Sequence, residues 1–163
     1  MINSFSQIIE EAQRRGRKRF VVAGSESPFV LDAVIKAKEM GIMEPILVGR
    51  KESICKIADK HHFNINQIEI EDCTEDENVA IRAVELIVAN RAEALMKGHI
   101  MTPTLLKAFL NKKFNLYQNR LLSHIALLEI PKYHKLLLIT DSGMVIRPTF
   151  DQKKISSRMP YSS

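Results

Sequence analysis

The feature that most constrains this chain is an alternation between short β-branched, apolar runs and longer stretches whose apolar residues recur every three to four positions. Arg19 to Ala23, Pro45 to Val48, Ile68 to Ile70 and Ala94 to Met96 are the short runs, each expected to form a strand. Helical signals fill the gaps. Ahead of the first run, Ser4 and Gln7 have the spacing of a capping box, and Phe5, Ile8, Ile9 and Ala12 share one face as far as Gly16. Ser27-Pro28 joins an N-cap residue to a first-turn proline. Val30, Ala33, Val34 and Ala37 then form the expected buried face of that helix, which Gly41 closes. Ile54, Ile57 and Ala58 mark a third helix. Thr74 and Glu77 make a second capping box, for a helix buried through Ala80, Ala83, Val84 and Ile87, and another helix starts at Thr102-Pro103.

Strands joined by helices of roughly 10 to 15 residues imply right-handed crossovers. The fold class is therefore α/β, a mostly parallel sheet with helices on both faces. After Asn111 the alternation stops. His124 to Ile130 and Lys135 to Thr140 are apolar runs separated only by Pro131-Lys132-Tyr133-His134, too short for a crossover, so they are expected to pair as an antiparallel hairpin. Residues 156–163 are polar and aperiodic and are expected to fray.

With 163 residues, 45% hydrophobic and 26% charged, the chain has the composition of one folded domain, which excludes disordered and fibrous classes. The start lacks a secretory signal, and no apolar run approaches the ~20 residues of a membrane helix. Cys55 and Cys73 form no CxxC pair and are read as packing residues. A cytoplasmic protein without a membrane partner is expected. The net charge of +5 suits small anionic substrates, and the basic run from Arg14 to Arg19 lacks the interleaved aromatics that stack on bases, so no nucleic-acid partner is expected.

In parallel sheets ligands sit beyond the carboxyl ends of the strands, where helix N-termini favour anions. Three segments qualify. Gly24-Ser25-Glu26-Ser27 lets backbone approach a ligand but matches neither a P-loop nor GxGxxG, and a plain N-cap explains it equally well. Leu95-Met96-Lys97-Gly98-His99-Ile100-Met101-Thr102 sets a lysine at a strand end, a glycine beside it and a capped helix directly after, a pattern that favours a phosphate cradle over a merely solvated lysine. Thr140-Asp141-Ser142-Gly143 places polar groups after an apolar run, and also serves as a simple turn. There is no HExxH, CxxC or GxSxG, and the five histidines have no ligand spacing, so no metal is expected. Ser123 and His124 are adjacent on an extended segment and point to opposite faces, which rules out a Ser-His dyad.

Four blocks in order, Leu95-Met96-Lys97-Gly98, Thr104-Leu105-Leu106-Lys107-Ala108, Arg120-Leu121-Leu122-Ser123-His124 and Thr140-Asp141-Ser142-Gly143-Met144, resemble the phosphate acetyl/butyryltransferases, closest to the butyryl type. The resemblance runs from about Phe5 to Lys154. It implies an acyltransferase converting acyl-CoA and phosphate to acyl phosphate and CoA, with CoA as substrate and no cofactor. It further implies a homo-oligomer and a two-lobed fold akin to isocitrate and isopropylmalate dehydrogenases. On it, Lys97, Gly98, Thr102, Lys107 and Arg120 become phosphate contacts, with lysine at 107 replacing a bidentate arginine by a point charge. Ser123, His124 and Asp141 become cleft-wall substrate contacts, or else make local structural hydrogen bonds.

Such enzymes are about twice this length, and their catalytic serine-arginine pair and aspartate lie in the second lobe. Residues 1–155 are thus expected to be the amino-terminal lobe and 156–163 a tail outside the family pattern, with the chain inactive alone. The alternative is a non-catalytic anion-binding or assembly module on the same fold. A dehydrogenase fragment is disfavoured by the missing dinucleotide fingerprint.

Overall fold

The strand Lys18–Ala23 (β1) ends in Val21, Val22 and Ala23, all inaccessible to solvent, so it has to be covered on both faces and flanked on both edges. The computed structural model, which describes residues 2–116, 122–140 and 149–150, shows how. Strands Met43–Gly49 (β2) and Ala94–Lys97 (β4) lie on either side of β1, and Glu69–Asp72 (β3) lies outside β2, giving the order β3-β2-β1-β4. Every pairing is parallel; Val21 stands beside Ile46 and Leu95.

Alternate side chains of the strands feed two cores. On one face Val22 and Leu47 meet Leu31 and Val34 of helix Pro28–Glu39 (α2) and Ile54 and Ala58 of helix Lys51–His61 (α3). On the other, Val21, Ala23 and Val48 meet Val79, Ala80, Ala83 and Val84 of helix Asp76–Val88 (α4), with Leu105 and Ala108 of helix Thr102–Phe109 (α5). The expected α/β fold with helices on both faces is therefore present.

The chain divides into two compact units, residues 12–118, which hold the parallel sheet, and residues 1–11 with 119–163. The second contains the hairpin. Strands Ile125–Leu128 (β5) and Leu137–Thr140 (β6) pair antiparallel, Ile125 opposite Thr140 and Leu128 opposite Leu137, as their apolar runs imply. The helix Phe5–Arg15 (α1) opens the chain, with Ser4 Oγ accepting from Gln7 N at 3.3 Å. Gln7 Oε1 accepts from Asn3 N rather than from Ser4, one residue before the expected partner. The expected frayed end, 156–163, lies outside the described residues.

Several expectations are corrected. Ala33 is exposed, and Leu31 takes its place in the core because the inward face of α2 is set by Leu31 and Val34. The third strand is Glu69–Asp72, displaced toward the carboxyl end from Ile68–Ile70; as an edge strand it carries acids, and Glu71 binds Arg82 and Arg91, each at 3.1 Å. The Thr74–Glu77 capping box does not form. Glu75 is the N-cap of α4 and makes no side-chain cap, while the Thr74 carbonyl accepts from Arg50 Nη2. In the basic run, Arg17 pairs with Glu44 and both Lys18 and Arg19 with Glu93, so part of its charge is spent within the fold. Both cysteines are free thiols, and burial pushes Cys73 above the usual thiol range against the opposing effect of Arg82.

Candidate functional site

The order β3-β2-β1-β4 means that the chain moves one way from β1 to β3 and then crosses back to the other side of β1. The topological switch point lies between β1 and β4, the position at which ligands bind in open parallel sheets. Gly24 and Gly98 sit at that junction. Gly98 N donates to the Ala23 carbonyl at 2.9 Å and His99 N to the Gly24 carbonyl at 2.6 Å, so the two loops stay hydrogen-bonded beyond the strands. Neither glycine has room for a side chain: a Cβ on Gly98 would stand 2.2 Å from the Gly24 oxygen, and one on Gly24 2.7 Å from the His99 oxygen. Gly24 also has φ +78°, a conformation that L side chains rarely adopt.

Four loops leave the carboxyl edge of this sheet, and their charges differ. At α3 the terminus is already filled, since Glu26 Oε1 accepts from Arg50 N at 2.7 Å and Asp72 Oδ1 from Lys51 N at 2.9 Å. At α4 the first turn carries Asp76 and Glu77, which repel an anion. In the β1–α2 loop the groups are mostly engaged: buried Ser25 donates through Oγ to the Val22 carbonyl at 2.9 Å, Ser27 N donates to Ser25, and Glu26 turns to α3. The β4–α5 loop is different. It contains Lys97, His99 and Thr102 and no acid, and α5 begins without a side-chain cap.

This loop holds three of the residues expected from the sequence. Lys97 closes β4, exposed, its Nζ only loosely placed 3.5 Å from the Gly98 carbonyl, and Gly98 is the close-contact residue already described. Thr102 is exposed in the first turn of α5 rather than its cap; the N-cap is Met101, whose side chain has no acceptor suited to that role, so the expected capped start is corrected. Lys107 lies one to two turns along α5, 3.9 Å from Glu77, both well exposed, and borders a cavity of about 110 Å³ with Ile81, Thr104 and Asn111. Ser123 is half-buried and His124 exposed, both in the unit that contains the hairpin. Arg120 and Asp141 lie outside the described residues.

Sequence reasoning missed two apolar neighbours of the switch-point loops. Phe29, in the first turn of α2, is 85% exposed, and Met101 is 66% exposed. A phenylalanine directly after Ser27-Pro28, at the start of a helix, was a usable signal, since it falls outside the Leu31–Val34 face. It also missed Glu26 and Asp72 as internal caps, which no local pattern announces because Asp72 lies 21 residues from its partner. Among the described residues, no three His, Cys, Asp or Glu side chains gather where they could hold a metal ion. No described helix is long and apolar enough to cross a membrane.

Comparison with known proteins agrees with this architecture. The family model described as phosphate acetyl/butaryl transferase matches residues 4–81. The chain is 36% identical to the phosphate butyryltransferase of Clostridium acetobutylicum over 153 residues, 94% of this chain and 51% of that protein. It is 32% identical to the phosphate acetyltransferase of Thermotoga maritima over 90% of this chain and 49% of that one. A crystal structure of a branched-chain phosphotransacylase from Enterococcus faecalis V583 superposes with a TM-score of 0.70 at 29% identity, covering 85% of this chain and 48% of that one. The chain thus spans about half the length of the curated relatives it matches. By sequence and by fold together, the chain is similar to the phosphate acetyl/butaryl transferases over about half of their length.

Proposed function

We propose that this chain is the phosphate-side, amino-terminal lobe of a phosphate acyltransferase, inactive alone, acting in the cytoplasm on acyl-CoA and phosphate. In the reaction a phosphate oxygen forms a bond to the thioester carbonyl carbon, the C–S bond breaks, and CoA leaves as a thiolate that takes up a proton. Such chemistry rests on holding the phosphate in line and on stabilising the oxyanion. In this chain Lys97 supplies positive charge, and the start of α5 supplies backbone amides and the positive end of a helix dipole. Phe29 and Met101 give the rim an apolar part suited to an acyl or pantetheine chain.

The observation that carries the reading is that the β4–α5 loop, at the switch point, combines a lysine with a helix start free of acids, whereas α3 and α4 meet carboxylates. The test is a titration of the purified chain with inorganic phosphate, followed by 31P line broadening, beside an assay of CoA release from butyryl-CoA. Saturable phosphate binding weakened roughly tenfold by Lys97→Gln, a loss of about 1.4 kcal/mol, is expected without turnover. Binding that Lys97→Gln leaves unchanged would remove the site, and turnover by the chain alone would remove the lobe reading. Phosphate binding that persists without turnover even when the other half of a relative is added would favour a binding module instead.

A further inference from the structure

At the amino edge of the parallel sheet, away from the switch-point loops, lies another hollow. A cavity of about 270 Å³ opens where the residue before β1, the end of α2 and the approach to β3 come together, all within residues 12–118. Its wall is apolar, with Ile35 half-buried and Ile68 buried. Its rim carries Arg17, Lys38, Glu39, Asn64 and Gln67. Small-molecule sites combine an apolar wall with a few polar groups at volumes from about 300 Å³ upward, so this hollow suits a molecule at the small end of that range.

The charges on the rim decide which kind. Lys38 is half-buried and engaged, paired with Glu44 Oε1. Arg17 is freer: its Nη1 stands 3.5 Å from Glu44 Oε2, at the outer limit of a hydrogen bond, and its side chain is 57% exposed. Donors of its planar fork are left for a carboxylate. Among the described residues the side chains of Glu39 and Gln67 have no partner, and Asn64 uses only Oδ1, which accepts from Asn66 N at 3.3 Å. Glu39 is the last residue of α2, where the negative end of the helix dipole also favours a cation. With Glu44 counted, two cations meet two carboxylates, so a bare anion gains nothing from net charge, whereas a molecule bearing both charges gains at each end. A neighbouring cavity of about 390 Å³ that shares Gln67 is the contrast. Its arginines are already held, Arg91 by Glu69 and Glu71 and Arg19 by Glu93 and the Asn90 carbonyl.

We propose that the smaller cavity binds a free apolar α-amino acid as its zwitterion, the carboxylate on Arg17, the ammonium on Glu39 and the side chain against Ile35 and Ile68, with the Asn64 and Gln67 amides completing the polar rim. The site is separate from Lys97 and independent of the phosphate reading. The experiment titrates the purified chain with L-leucine by calorimetry, beside glycine, isocaproate and isoamylamine, which remove in turn the side chain, the ammonium and the carboxylate. Saturable binding of leucine is expected, at least tenfold weaker for each analogue. Glu39→Gln should weaken leucine at least tenfold and leave isocaproate unchanged, while Arg17→Gln should weaken leucine likewise and leave isoamylamine unchanged. Arg17→Gln also removes the contact with Glu44, but Glu39 has no partner in the fold, so the thermal transition of Glu39→Gln should match that of the parent chain. No saturable binding of leucine, binding that survives Glu39→Gln, or isocaproate bound as tightly as leucine would each overturn the proposal.

Discussion

Gly98 shows how much of the site depends on a single missing atom. Its Cα lies against the Gly24 carbonyl so closely that an added Cβ at 2.2 Å forces backbone, rather than a flexible side chain, to move. Gly98→Ala is therefore expected to cost about 1–3 kcal/mol, as overpacking does. Because the displaced backbone is that of the β4–α5 loop, phosphate affinity should fall with it. Gly41→Ala is the contrast: φ +76° strains the residue, but nothing lies within 4 Å of its Cβ. That variant should lose about 1–2 kcal/mol from backbone conformation alone and bind phosphate normally. Urea unfolding and phosphate titration of the two proteins check the pair, and equal affinity in both would sever the link between the glycine contact and the site.

The strand–helix alternation was readable because each element carries its own signal, and the four strands, the order of helices and the hairpin all follow from apolar period. Misreadings cluster where a distant partner decides. Asp72 and Glu26 cap α3 across the sheet edge, and Glu71 of the third strand pairs with Arg82 and Arg91 in addition to the packing of Ile70, so neither link is visible in a local window. That Lys97, Gly98 and Thr102 fall in or beside one loop was legible because a strand end, a glycine and a helix start are adjacent in sequence. The exposure of Phe29 was not, since no local pattern announces it. Another such long-range link holds the start of β1 to β4: Glu93 accepts from Arg19 N at 2.6 Å and approaches Lys18 Nζ at 3.5 Å. The backbone hydrogen bond from Arg19, aided by Lys18, holds the Glu93 carboxyl below the usual carboxylate range. A carboxyl depressed by folding contributes stability in full above its unfolded value and loses it as pH falls through the folded value. The stability difference between the parent chain and Glu93→Gln should thus be present at pH 7 and fade as the pH falls below the ordinary glutamate value of about 4.3. Urea midpoints above and below that value measure it, and a pH-independent difference would show that the hydrogen bond does not set the titration.

At the scale of the whole chain, the two units differ in what could keep them folded. Residues 12–118 bury two continuous apolar clusters around β1 and β2, with Val22, Leu31, Leu47 and Ile54 inaccessible to solvent. The other unit offers a hydrogen bond from Phe5 N to Glu129 at 2.7 Å, a two-stranded ladder and exposed apolar side chains, but no buried residue among those described. Hydrophobic burial is the main favourable term in folding, so the described residues of that unit contribute little to oppose its chain entropy. Local opening free energies should therefore diverge, approaching the global value in β1 and β2 and lying near zero in β5 and β6. Amide hydrogen exchange resolved by peptide should show protection over residues 18–23 and 43–49 and rapid exchange over 125–128 and 137–140. If the hairpin amides were as protected as those of β1, the division of labour drawn between the two units would be wrong.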